Sequence, residues 1–115
     1  MEASMLPASK IRPMRSVIKI PITNIGYNEI TVPFGSKFLN ISKQRSYTNS
    51  NYFELLLWIE TNSISIRPSN EIWTIYIVMT NEKFSIDENY KYINTIVLRN
   101  DPLFIVHVYL NNKVL

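Results

Sequence analysis

Few side chains in this sequence could carry out acid–base or nucleophilic chemistry. His107 is the one histidine, and there is no cysteine. A hydrolase or transferase normally needs a base beside a nucleophile, or a metal cluster. His107 shares one side of a strand pattern with Leu103, Ile105 and Tyr109, and a histidine among apolar residues is more often a hydrogen-bonded core residue than a ligand. We therefore expect no enzyme activity, no catalytic residue and no cofactor.

Carboxylates do not supply the missing chemistry. Glu54 and Glu60 lie on the same side of one predicted strand, but six residues at about 3.3 Å each separate them by roughly 20 Å. That distance is too long for a glycosidase acid pair. A metal site would have to combine His107 with acids such as Glu54, Glu60 or Asp101, and nothing in the sequence fixes their spacing. We expect no metal site.

Basic residues and tyrosines stand instead at the ends of predicted strands and in the connections between them. If two or three of the cations converge at one rim, they would clamp a phosphate or carboxylate through forked hydrogen bonds. The alternative is that each cation is simply solvated. Tyrosines in neighbouring loops, Tyr47, Tyr90 or Tyr92, would then stack on a base. The candidate ligand-binding residues are Lys43, Arg45, Arg67, Arg99, Tyr47, Tyr92 and His107.

Alternating patterns predict the strands that must position these residues. From Ser16 onward, Ile18, Ile20 and Ile22 share one side, and Pro21 indicates an edge strand. Further strands are predicted at 29–32, 37–44, 52–60, 71–80, 95–100 and 103–111. The first three are expected to form a β-meander, and the last two a tight hairpin through residues 100–102. The strand at 71–80 is apolar on both sides, which places it between two layers.

The fold class predicted from these patterns is all-β, a mainly antiparallel sandwich or partly closed barrel. One short helical turn is expected near 85–90, because Ser85-Ile86-Asp87-Glu88 is typical of a helix start. Residues 1–15 are predicted to be a flexible N-terminal arm, and residues 16–115 a single β domain, since 115 residues suffice for one core.

Composition narrows the function classes. Two glycines exclude the Gly-rich phosphate loops of dinucleotide-binding and P-loop proteins. The absence of cysteine excludes disulfides and fits a reducing cytoplasm. No apolar stretch is long enough for a membrane helix, so no membrane partner is expected. The formal charge of +3 favours anionic partners only mildly, and the basic residues are too scattered for the groove that single-stranded nucleic acid needs.

Several short motifs have a familiar spacing. They are Val32-Pro33-Phe34-Gly35-Ser36, Gln44, Leu57-Trp58, Tyr92-Ile93-Asn94-Thr95-Ile96 and Val106-His107-Val108-Tyr109. From about Ser16 to Leu110 the chain resembles an uncharacterised family of small phage-encoded proteins. It departs from that pattern at Met79-Thr80-Asn81 and at Asn94, where the family tends to have glycine. The resemblance implies a phage or prophage origin and a role in the encounter with the host cell, and it assigns no activity.

The expected function is therefore non-enzymatic binding in the cytoplasm of an infected host cell. Our first expectation is an anti-defence protein that sequesters a small anionic ligand, such as a signalling cyclic nucleotide, and acts as a homo-oligomer. The first alternative is an inhibitor that docks on a host enzyme through an exposed edge strand or an aromatic patch. A virion or assembly accessory protein is the second alternative.

Overall fold

Seven strands make up the described part of the fold. The computed structural model describes residues 14–45, 53–62, 69–100 and 102–112, and no helix occurs within these ranges. The prediction of an all-β fold is confirmed. The strands are β1 (Arg15–Ile22), β2 (Gly26–Pro33), β3 (Lys37–Arg45), β4 (Phe53–Asn62), β5 (Asn70–Met79), β6 (Lys91–Asn100) and β7 (Leu103–Asn111).

The strands form two antiparallel sheets that pack together as an open sandwich and do not close into a barrel. Sheet A has the order β1-β4-β3, and sheet B has the order β2-β5-β7-β6. Strands β3 and β6 lie against each other across the sandwich. The hairpin predicted from residues 100–102 is confirmed, since Asn100 pairs with Leu103.

The β-meander predicted for the first three strands is wrong. Strands β1 and β3 both pair with β4 in sheet A, whereas β2 pairs with β5 in sheet B. The connections at 23–25 and 34–36 carry the chain across the roughly 10 Å between facing sheets and do not fold it back on itself. Gly35 allows the second crossing because its φ is +82°, a left-handed conformation that suits glycine.

The core lies between the sheets and is almost wholly aliphatic. Sheet A contributes the inward side of β4, with Leu55, Leu57 and Ile59. Trp73 on β5 is the largest fully buried side chain, and its indole Nε1 donates a hydrogen bond to Glu71 Oε1 at 2.8 Å. Burying apolar area at about 25 cal/mol per Å² makes this layer the main source of stability.

No helical turn forms near 85–90. Residues 80–90 form an irregular connection in which Asn89 N donates to Asp87 Oδ1 at 2.7 Å, and Tyr90 N donates to the Asp87 carbonyl at 3.2 Å. The Asp87 side chain thus caps a tight turn, an alternative that competes with helix initiation. At the start of the connection Asn81 has a φ of 69°. Asparagine tolerates this conformation, so it replaces the glycine expected there without breaking the turn.

The two ends of the sandwich carry different connections. At the Ile22 end, β1, β3, β5 and β6 end, and β2, β4 and β7 begin. At the opposite, Arg15 end, β6 begins at Lys91 opposite Leu110. The 80–90 connection must therefore run the length of sheet B, and it crosses over β7 on the way from β5 to β6.

A candidate recognition surface on sheet B

Four tyrosines lie side by side across the outer side of sheet B, one on each strand. Tyr27 on β2 pairs with Tyr76 on β5, Tyr76 pairs with Tyr109 on β7, and Tyr109 pairs with Tyr92 on β6. At about 4.8 Å between neighbouring strands, the row spans roughly 14 Å. Directly opposite aromatic residues are favourable cross-strand pairs, so the row also stabilises the sheet.

The 80–90 connection adds two more rings to this row. The Phe84 ring stacks on Tyr76 with centroids 6.4 Å apart and contacts Tyr109 at 5.3 Å. The Tyr90 ring meets Tyr76 edge-on at 6.4 Å, and Tyr92 meets Tyr109 at 5.7 Å. Both distances and angles are typical of favourable aromatic pairs. We call the six residues Tyr27, Tyr76, Phe84, Tyr90, Tyr92 and Tyr109 the aromatic face.

Half of the aromatic face remains open to solvent. Tyr27, Phe84 and Tyr92 are 53%, 40% and 55% exposed, and Ile72 on the same side of β5 is 56% exposed. Among the strand residues that point outward with the tyrosines, only Glu29 is charged. Exposed charges stand instead on the connection, at Lys83, Asp87 and Glu88. An aromatic centre depleted of charge, with a polar rim, is the composition of protein interfaces.

His107 lies next to the aromatic row, half-buried on the outer side of sheet B. Its Nδ1 is 2.9 Å from Thr95 Oγ1, and its Nε2 is 2.9 Å from Thr80 Oγ1. The Tyr92 hydroxyl shares a further hydrogen bond with Thr95 Oγ1. Both ring nitrogens therefore have partners, and the network fixes the Tyr92 ring beside Tyr109. The apolar strand neighbours that the sequence predicted for His107 face outward with it and do not enter the core.

Tyr27 is held by its own strand neighbour. Its hydroxyl donates to Glu29 Oε2 at 3.1 Å. Desolvation beside the sheet, and then this hydrogen bond to an anion, raise the pKa of Tyr27 above its usual value of 10.0. The hydrogen bond to Glu29 also orients the Tyr27 ring on the outer side of β2.

The predicted cationic residues that the structure describes lie away from the aromatic face. Lys43 pairs with Leu55 at the Ile22 end of sheet A, and Arg45 ends the same strand opposite Phe53. Arg99 lies at the Ile22 end of sheet B, where its Nε donates to the Pro102 carbonyl at 3.2 Å. Its guanidinium also sits 5.5 Å from the centre of the Phe104 ring, a cation–π contact.

Lys43 and Arg99 thus share one end of the sandwich, whereas Tyr92 and His107 lie on its outer side. Tyr47 and Arg67 fall outside the described residues. The strands that flank the connection carrying Arg67 end at Asn62 and begin at Asn70, both at the Arg15 end.

The described part of the fold includes two recesses of interest for ligand binding. One opens at the Ile22 end and is lined by Ile22, Thr23, Asn24, Ile25, Leu55 and Leu98. Lys43 pairs with Leu55, and Arg99 follows Leu98 in the sequence, so both cations are neighbours of residues that line this recess. Neither cation lines it. The other lies at the Arg15 end between Glu88, Asn89, Lys91 and Asn112, where one acid offsets one base.

Metal-binding chemistry has no cluster to support it among the described residues, since no group of three or more potential ligands comes together there. The same residues include no helix with the length and apolar character needed to cross a membrane.

The fold is an all-β sandwich with an aromatic face on the outer side of sheet B. The chain belongs to the family described as "Domain of unknown function (DUF7352)", whose model matches residues 14–114. The match covers all seven strands and both sheets. No curated protein and no solved structure matches the chain.

Proposed function

We propose that this protein binds another protein through the aromatic face and acts by occupying its partner, without chemistry. The observation that carries the proposal is the row Tyr27-Tyr76-Tyr109-Tyr92 with Phe84 packed above it. Tyrosine is among the residues most often dominant in protein interfaces. Tyr92 is fixed beforehand by its hydrogen bond to Thr95, which lowers the entropy lost on binding.

Charge separates this proposal from nucleic-acid binding. Single strands bind where stacking rings alternate with a basic groove that follows the phosphates. The outward side of sheet B offers rings, but its one charged strand residue is the acid Glu29. A protein partner can pack its own apolar and aromatic side chains against these rings and needs no cations on this surface.

The sequence resemblance supports a location for the partner. Similarity to small phage-encoded proteins would place it in the cytoplasm of an infected cell, and the partner would then be a host defence or metabolic enzyme. This setting is part of the proposal and rests on the sequence motifs alone.

Photocrosslinking tests the proposal. A photoreactive phenylalanine at Tyr92 should capture a discrete protein in the native host, whereas the same residue at exposed Asn40, on the outer side of sheet A, should not. Capture from Tyr92 should also disappear when Tyr27 is replaced by serine. Equal capture from both positions, or capture from Tyr92 that is unchanged by Tyr27→Ser, would show that the aromatic face is not the binding surface.

A second candidate, sequestration of an anionic nucleotide, is favoured by one observation. Lys43 and Arg99 come to the same end of the sandwich, beside a recess that carries Thr23 and Asn24. A ligand that binds only the folded protein raises the melting temperature by mass action. A thermal-shift panel of cyclic dinucleotides and trinucleotides, repeated on Arg99→Ala, tests this candidate. A rise in melting temperature that Arg99→Ala removes supports it. No rise with any compound of the panel refutes it.

A further inference from the structure

The four edge strands of the sandwich are not alike. On one side, β3 has a register shift between Phe38 and Asn40, and β6 has two, at 92–94 and 97–99. Such bulges twist an edge away from pairing with another strand. On the other side, β1 and β2 run in continuous register with their single neighbours. Only that side presents regular edges.

Within the described part of the chain, no other strand pairs with the outer edge of β1. Ile18 and Ile20 pair with Ile59 and Leu57, which are fully buried, so they point toward the core side. Yet Ile18 is 36% exposed, and Val17 on the opposite side of the strand is 58% exposed. On β2, by contrast, the inward residues are buried. The sandwich seam is therefore open at β1, where apolar side chains lie beside an unpaired strand edge.

The charge on β1 indicates what kind of strand fits there. Arg15 already binds Glu60, with 2.7 Å between Nη1 and Oε2. Lys19 points to the same outer side as Arg15 and Val17 and makes no ion pair within the described part of the chain. A strand that pairs with β1 therefore meets a cation that no described acid neutralises, and an acidic residue on that strand would pair with it.

The same charge argues against a second copy of this chain at the β1 edge. In antiparallel self-pairing centred on Val17, Lys19 faces Arg15 of the other copy, and centred on Lys19 it faces its own equivalent. Centred on Ile18, Lys19 faces Val17 and lies diagonal to both cations. Like charges opposite one another destabilise paired strands. Each of these registers brings cations together, whereas an acidic strand brings opposite charges together.

We propose that β1 binds an extended segment of a partner protein by strand addition, and that this segment alternates apolar with acidic residues. Its apolar side chains cover Ile18 and Ile20, its acids lie beside Lys19, and its backbone completes the hydrogen bonds of the β1 edge as far as Pro21, which has no N–H to donate. Strand addition of this kind derives affinity from the main chain and specificity from alternate side chains. The site is on sheet A, so it is independent of the aromatic face.

Peptide binding to the full chain tests the proposal. The probe is a fluorescent peptide as long as β1, of alternating valine and glutamate, with a valine–lysine peptide as its charge-reversed control. Fluorescence anisotropy should show the acidic peptide binding roughly tenfold more tightly than the basic one at low salt, and a smaller preference at high salt. Lys19→Glu should reverse the preference. Lys91→Glu, the same charge change on the bulged β6, should leave it unchanged.

Two further variants test the mode of binding. Methylation of the backbone amides on the pairing side of the acidic peptide should abolish binding, because strand addition needs those donors. Ile18→Asp should weaken both peptides, and circular dichroism shows whether that variant keeps its strands.

The proposal is overturned if the acidic peptide does not bind, or if Lys19→Glu leaves its affinity unchanged. It is also overturned if light scattering shows a dimer that Ile18→Asp dissociates, since a second copy would then occupy the edge.

Discussion

Replacing Phe84 with alanine should detach the 80–90 connection from sheet B while leaving the core intact. Phe84 anchors that connection through its ring contacts with Tyr76 and Tyr109, at 6.4 and 5.3 Å. At its two ends the connection is also held by the hydrogen bond between Thr80 and His107 and by the edge-on contact of Tyr90 with Tyr76. The structure therefore predicts that Phe84 fixes the middle of the connection, between these two contacts.

The expected cost follows from burial. Removing a fully buried phenylalanine costs about 3–5 kcal/mol. Because Phe84 is 40% exposed, we expect about 2 kcal/mol, which corresponds to a fall in melting temperature of roughly 10 °C for a domain of this size. The contact with Tyr109 should account for about 1 kcal/mol of that loss.

Urea denaturation of Phe84→Ala, Tyr109→Ser and the double variant measures both quantities. A coupling energy near 1 kcal/mol between the two sites, with faster hydrogen exchange at residues 82–90, supports the packing described here. Phe34→Ala is the matched control, since Phe34 is 59% exposed and should lose less stability without affecting exchange at 82–90. Additive losses, or unchanged exchange in Phe84→Ala, would refute the anchoring role.

Three further predictions concern single side chains. Gly35→Ala should lower the free energy of unfolding in urea by about 1 kcal/mol, because the φ of residue 35 is +82°. Asn81→Gly should be neutral or stabilising, since the φ of residue 81 is 69°. An unchanged stability in Gly35→Ala would contradict the argument from backbone conformation. Spectrophotometric titration should find Tyr27 ionising above pH 10, and Glu29→Gln should lower its pKa. The raised pKa adds stability that is fully present below pH 10 and is lost as the pH rises through the pKa of Tyr27 in the folded protein. An unchanged titration in Glu29→Gln would exclude the hydrogen bond as a cause of the shift. Arg15→Gln should change stability by less than about 1 kcal/mol, because the ion pair with Glu60 is half exposed; a larger loss would indicate a role in the packing of β1.

The strand pattern could be predicted because alternation is a local property. The alternation of Ile18, Ile20 and Ile22 predicted β1, and Pro21 correctly marked it as an edge. The start of β6 was placed at Thr95, although the strand begins at Lys91. The register shift between Tyr92 and Asn94 breaks the alternation there, so the period-two signal is lost.

The aromatic face could not be predicted because it depends on strand order. Tyr92 was selected as a candidate for stacking on a ligand, but Tyr27, Tyr76 and Tyr109 were not. Their alignment requires β7 to lie between β5 and β6, a long-range pairing that no local pattern encodes. The sequence predicts that β5 lies between two layers; on its outer side Phe84 of the 80–90 connection covers Tyr76, whereas Ile72 is 56% exposed.

The role of Arg99 shows the same limit. Its position before a tight turn suggested a ligand contact, and in the structure it contacts the Pro102 carbonyl and the Phe104 ring. These contacts stabilise the turn and require the hairpin register, which a sequence alone does not give.

The central claim is that the aromatic face is the binding surface, and an affinity measurement tests it most directly. The partner captured from Tyr92 should be purified and titrated calorimetrically with the wild-type chain and with a Tyr27→Ser, Tyr92→Ser double variant. Both replaced side chains are more than half exposed, but each has a cross-strand tyrosine partner, so the melting temperature should fall and circular dichroism must show that the double variant is folded at the titration temperature. We predict an affinity loss of about tenfold or more, as for interface tyrosines generally. An unchanged affinity with an intact fold would contradict the claim.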